Sequence, residues 1–305
     1  GRLGRALGRI TGGGLGMGLA GALPGCASAP TAVVSLPNTR QIDTKMADGR
    51  VRRIFVLLPQ TPAPPQGHAV LYLLDGNAMF PFAAQLARMR AGRPDAATAA
   101  SLVVVGIGYP TDALYDMSAR ARDLTPPALP PGSDAPNEGG ADLLLDDIAQ
   151  QIRPMVERIV QTDPARQTLC GHSYGGLFTL HTLFTRPAMF TRYVAASPSV
   201  WWRQHAILAT RDRWLAQQRA GTGAATGELL VTVGSLEQQA LIPARAALVR
   251  ERRMVDGARE LAASLQGVAG WPVRFQLYDG EDHGGAMVPA VAQAVLMAQR
   301  SGPPQ

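Results

Sequence analysis

The segment Gly171-His172-Ser173-Tyr174-Gly175-Gly176 constrains this chain more than any other. It carries G-x-S-x-G, with the short apolar run Gln167–Cys170 before it and the largely apolar run Leu177–Phe184 after it. A strand that turns at once into a helix leaves no room for side chains beside the turn, and glycines flank the serine for that reason. The serine is then held at the strand tip with a helix N-terminus behind it and its hydroxyl exposed. The expectation is a nucleophile elbow at Ser173. The plainer reading is an ordinary turn in a glycine-rich chain, and a histidine placed late in the sequence weighs against it.

Strand-like runs recur along the chain at Arg53–Leu58, Ala69–Leu74, Leu102–Ile107, Gln167–Cys170, Arg192–Ala196, Leu229–Val233 and Val273–Tyr278. Between them lie helix-like stretches at Met79–Met89, Ala141–Val160, Leu177–Thr185, Trp202–Arg219, Pro243–Leu265 and Val288–Arg300. Strands alternating with helices predict an α/β fold, a mostly parallel sheet with helices on both faces. Ligands of such sheets bind beyond the carboxyl ends of the strands. From Pro110 to Gly140 no helix or strand is predicted. That segment follows a strand, so its first part is read as facing substrate and Pro126–Gly140 as mobile.

Residues 1–30 read as a leader, and 31–305 as one catalytic domain. Arg2, Arg5 and Arg9 precede a weakly apolar run from Ile10 to Leu23, then Leu23-Pro24-Gly25-Cys26-Ala27-Ser28-Ala29. Basic, then apolar, then small is the order of an export signal. The last segment resembles a lipobox, which predicts a periplasmic protein or a lipoprotein attached to the membrane through Cys26. A disordered tail on a cytoplasmic protein is the alternative. Cys26 and Cys170 are the two cysteines, too few for a metal framework. The net charge is +6, carried almost wholly by arginine, with no dense basic run and interleaved aromatics. Nucleic acid is therefore not an expected partner, whereas an anionic small molecule is compatible with the charge.

A serine needs a base to take its proton and an acid to orient that base. His283 follows the strand Val273–Tyr278 in the turn Gly280-Glu281-Asp282-His283-Gly284-Gly285 and is the expected base. His181 and His205 fall on predicted helices and are read as surface or packing residues. His172 is the variable position of the elbow. Glu237 follows the strand Leu229–Val233 and is the expected acid, with Asp282 as its rival. An oxyanion needs two donors. The backbone N–H of Tyr174 is one, and that of Asn77, after Tyr72-Leu73-Leu74-Asp75-Gly76, is the other. The mechanism requires no cofactor and no metal.

With those residues placed, the chain resembles the esterase-D-like branch of α/β-hydrolases, and within it the siderophore esterases that open the trilactones of enterobactin and salmochelin. The resemblance rests on the Leu73-Leu74-Asp75-Gly76-Asn77 and elbow motifs, and on Val105–Tyr109. It rests further on Arg120-Ala121-Arg122-Asp123-Leu124-Thr125-Pro126, Ser197-Pro198-Ser199-Val200-Trp201-Trp202 and Asp282-His283-Gly284. It implies an α/β-hydrolase fold and a serine hydrolase whose partner is a small-molecule ester, with a ferric catecholate siderophore as the candidate. It also implies that Arg120 contacts substrate, with Arg122 as a weaker candidate. Trp201 and Trp202 are expected near the substrate, at least one of them packing instead. The competing expectations are a general carboxylesterase or thioesterase for small acyl esters, and a non-catalytic binding protein of the same fold.

Overall fold

The computed structural model describes residues 34–91, 101–127, 137–240 and 242–302. The leader, Cys26 and residues 128–136 of the proline-rich segment lie outside them. All the elements below belong to the compact unit Leu36–Gln305.

The strands are β1 (Thr39–Lys45), β2 (Val51–Leu57), β3 (His68–Leu74), β4 (Leu102–Gly108), β5 (Thr162–His172), β6 (Arg192–Ala196), β7 (Glu228–Gly234) and β8 (Val273–Tyr278). They form one sheet in the order β1-β2-β4-β3-β5-β6-β7-β8. The β1–β2 and β2–β4 pairs are antiparallel, and every later pair is parallel. The helices are α1 (Gly76–Ala91), α2 (Met117–Leu124), α3 (Ala141–Asp147), α4 (Arg153–Glu157), α5 (Tyr174–Thr185), α6 (Trp202–His205), α7 (Ile207–Arg219), α8 (Ala246–Arg252), α9 (Met254–Ser264) and α10 (Met287–Gln299).

Central strands are buried on both faces, which is why β3, β4 and β7 read as mostly apolar runs without polar alternation. Alternate residues of β3 serve different cores. Val70, Tyr72 and Leu74 join Phe178 and Leu180 of α5 and Leu261 of α9. Leu71 and Leu73 join Phe80 of α1 and Val295 of α10. The period of two thus divides the apolar residues between two layers.

Some sequence expectations need correction. β1 was not anticipated: Thr-Arg-Gln-Ile-Asp-Thr-Lys is mostly polar because this edge strand pairs on one side only. α2 forms where no helix was expected. Its cap is Asp116, whose carboxylate accepts from the Ala119 N–H at 2.9 Å. Its Asp123, fully buried, accepts from Arg50, Arg52 and Arg122 and so ties α2 to β2.

Three long predicted helices are broken. Ala141–Val160 passes through a π-helical turn at Ile148–Ile152, before Pro154, which has no N–H for a regular ladder. Trp202–Arg219 is interrupted where Arg203, Gln204 and His205 take positive φ. Pro243–Leu265 is split by Arg253, left-handed at φ 42°.

Candidate active site

β5 ends at His172, and α5 begins at Tyr174. Ser173 alone makes the turn, at φ 61° and ψ −115°. A non-glycine residue with positive φ is uncommon, and surrounding bonds fix this one. The Ser173 N–H donates to the Ala196 carbonyl at 2.9 Å, and its own carbonyl accepts from the Leu177 N–H at 3.0 Å. Gly171 is required because a Cβ there would overlap the Gly175 backbone.

β7 and β8 deliver the next two groups. Glu237 lies in the 3-10 turn Ser235–Gln238 directly after β7. His283 lies in the turn after β8. Glu237 Oε2 meets His283 Nδ1 at 2.6 Å. Its other oxygen accepts from the Ser197 hydroxyl at 2.5 Å and from the Gly234 N–H at 2.8 Å. Burial pushes this carboxyl up, but the His283 bond and charge, with Ser197 and Gly234, outweigh it and hold it below its ordinary value. Gly234 lets the two loops meet, since a Cβ there would overlap the Glu281 carbonyl. The rival Asp282 is turned elsewhere and accepts from the Gly285 N–H at 2.8 Å.

Ser173, Glu237 and His283 line one cleft of about 360 Å³ together with Ser199, Trp201, Arg245 and Arg252. Ser199 Oγ is 3.5 Å from Ser173 Oγ. Tyr174 opens α5, so its N–H has no intrahelical acceptor. Asn77 occupies the corresponding first turn of α1, directly after β3. β3 and β5 are parallel neighbours, so two helix N-termini start from adjacent strand ends. The Asn77 side chain fixes its own turn by accepting from the Tyr109 N–H at 2.9 Å and donating to the Tyr109 and Thr111 carbonyls. A half-buried serine hydroxyl that lines the cleft, an imidazole anchored by a buried carboxylate, and unspent N–H groups can carry out acyl transfer.

The two arginines expected to meet substrate are engaged by carboxylates of this chain. Arg120 is 6% exposed and does not line this cleft. Its guanidinium binds Asp75 through two bonds of 2.9 Å and lies 5.6 Å from the ring centroids of Tyr115 and Tyr174. Arg122 is likewise outside the cleft and pairs with Asp123 at 2.7 Å. Trp201 lines the cleft, whereas Trp202 is 3% exposed and packs in the core.

Sequence reasoning passed over several residues. His172 is buried, and its Nε2–H donates to the His283 carbonyl at 2.8 Å. Ser197 and Ser199 sit in the Ser-Pro-Ser motif, whose hydroxyls gave no sign of their partners. His181, expected to be a surface or packing residue, is indeed buried, and it bonds Asp142 at 2.8 Å. Arg252 falls inside the predicted helix Pro243–Leu265, where nothing in the sequence marks it as a cleft residue.

Residues 46–283 match the sequence model of the Esterase family. The chain is 34% identical over 260 residues to the ferri-bacillibactin esterase BesA of Bacillus subtilis, which spans 82% of this chain and 86% of that protein. It is 36% identical over 284 residues to the siderophore triacetylfusarinine C esterase of Aspergillus fumigatus, spanning 87% of this chain and 94% of that one. Among solved structures, the siderophore hydrolase EstB from Aspergillus nidulans is similar with a TM-score of 0.79 and 33% identity. That match covers 90% of this chain and all of the other.

Proposed function

This chain belongs to the Esterase family of α/β-hydrolases, and on that footing we propose that it is a serine esterase cleaving the ester (lactone) bonds of a catecholate siderophore. The observation that carries the catalytic part is the 2.6 Å bond between His283 and the buried Glu237, in the same cleft as Ser173. The relatives are named for ferri-bacillibactin and for triacetylfusarinine C, which supports a siderophore as the substrate class. The catecholate reading is supported by the aromatic side of the cleft at Trp201.

In this reading Ser173 Oγ attacks the ester carbonyl while His283 Nε2 takes its proton. Glu237 holds Nδ1–H and stabilises the imidazolium that forms. The N–H groups of Tyr174 and Asn77 receive the negative charge that develops on the carbonyl oxygen. Collapse breaks the bond to the alcohol oxygen, which leaves with the proton from His283. Water, deprotonated by His283, then attacks the acyl-serine and releases the acid. The basic, apolar and small-residue leader ending near Cys26 is proposed to export the protein to the periplasm or anchor it to a membrane.

The test is hydrolysis of iron-loaded and iron-free enterobactin beside a short aryl ester, by wild type and by Ser173→Ala. Trilactone turnover that strongly exceeds aryl ester turnover, and is lost in the variant, is the expected result. Aryl ester turnover without trilactone cleavage would leave a serine esterase for other esters. Silence on all substrates, with no labelling by a serine-directed phosphonate, would remove the enzyme reading.

A further inference from the structure

Two aromatic rings lie side by side near the nucleophile. The Tyr174 and Trp201 centroids are 6.3 Å apart. Each carries a guanidinium, Arg120 at 5.6 Å from Tyr174 and Arg252 at 4.1 Å from Trp201. The two cations differ in how their charge is spent. Arg120 is bound through two hydrogen bonds to Asp75. Arg252, in the last turn of α8, pairs with no carboxylate among the described residues, and its buried Nε has no acceptor. Arg252 also lines the Ser173 cleft, and Arg120 does not.

The carboxylates of that cleft do not neutralise Arg252. Glu237 is taken up by His283, Ser197 and Gly234. One oxygen of Asp282 accepts from Gly285. Arg245, a second cation of the cleft, is exposed and also lacks a carboxylate partner among the described residues. A guanidinium lying over the face of an indole is only weakly hydrated and can still present its Nη donors as a fork to an anion.

We infer that Arg252, stacked on Trp201, selects anionic acyl donors at the Ser173 cleft. Resting on the siderophore reading, this favours the iron-loaded tris-catecholate over its iron-free trilactone. Iron displaces the catechol protons and leaves the complex strongly anionic, whereas the free trilactone is uncharged near neutral pH. The lactone carbonyls are the same in both, so the difference is made by a group that senses charge beside the reacting ester. Arg245 adds to the same field from the turn before α8.

The test compares kcat/KM for two matched pairs of substrates. One pair is iron-loaded and iron-free enterobactin. The other is an aryl hemisuccinate, which is anionic, and an aryl butyrate, which is neutral and of similar length. Wild type, Arg252→Gln and Arg252→Lys are measured on all four. The charged-to-neutral ratio in both pairs is expected to fall about tenfold or more in Arg252→Gln, mainly through KM. Arg252→Lys is expected to recover only part of it, because an ammonium does not stack as a plane.

An unchanged ratio in Arg252→Gln overturns the inference. So does a uniform loss on all four substrates, which would mark Arg252 as a structural residue. If wild type cleaves neither trilactone but the hemisuccinate-to-butyrate ratio still falls, the siderophore reading fails and the charge-selecting role of Arg252 stands.

Discussion

His172 donates from Nε2 to the backbone carbonyl of His283 at 2.8 Å, and their ring centroids are 4.5 Å apart. The residue before the nucleophile therefore holds the turn that carries the proposed base. An imidazolium would donate to the same carbonyl, so burial rather than this bond sets the charge of His172. Burial, together with the charge of His283, pushes His172 down to about 3 from its ordinary 6.5.

The sign of the resulting pH dependence is fixed. Below pH 6.5 the unfolded chain binds a proton at His172 that the folded chain refuses. The stability it allows is complete above that value and is lost as pH falls. At pH 5 the loss is about 2 kcal/mol. Denaturant unfolding at pH 7 and pH 5 is expected to show wild type losing that much more than His172→Asn. Equal losses in the two proteins would remove His172 as the cause.

Glu237 is held by three donors, so its variants should be graded. Glu237→Gln is expected to lower kcat by about 10² to 10⁴, since the imidazolium loses its counter-charge. Ser197→Ala removes one donor and leaves the His283 and Gly234 contacts, and a loss of about tenfold is expected. Steady-state kinetics on a short aryl ester measure both. A Ser197→Ala effect as large as that of Glu237→Gln would mean the hydroxyl has a different role.

The Arg120–Asp75 pair joins α2 to the end of β3 and is almost fully buried. Removing one partner strands the other charge, so Arg120→Gln should cost about 3–5 kcal/mol and lower Tm by about 10 °C. Adding Asp75→Asn, which tolerates the φ of 51° at this position, should recover more than half of that loss. Additive losses in thermal melts would mean the pair is not coupled.

The adjacent tryptophans are expected to separate in their effects. Trp202→Ala opens the core and should cost about 3–5 kcal/mol. Trp201→Ala should cost under about 1 kcal/mol while reducing turnover of an aromatic siderophore more than that of a short aryl ester. Melting curves and kinetics on the same preparations decide this. A reversed pattern would contradict the placement of the two rings.

The sequence revealed what is local or fixed by strand order. The elbow at Ser173 is contiguous, and Glu237 and His283 each follow the end of an apolar strand, so one pattern located all three. Residues whose significance depends on a distant partner stayed hidden. Nothing near Arg120 announces Asp75, and nothing near Ser197 announces Glu237. The edge strand β1 lacks apolar alternation because only one side is paired. Arg253 looks like a helix former, and only its left-handed backbone reveals the break that leaves Arg252 at a helix end.

The segment from Gln239 to Arg252 supplies much of the cleft wall, including Ile242, Arg245, Leu248 and Val249, and none of the groups assigned to the chemistry. The proposed reacting groups, Ser173, Glu237 and His283, lie just past strand ends, where the sheet holds them. The wall is a separate excursion between β7 and α9. Grafting this stretch from another member of the family should exchange the guest that is accepted while leaving the bond-breaking apparatus in place. In the proposed reading, recognition and reactivity would then be carried by different parts of the chain.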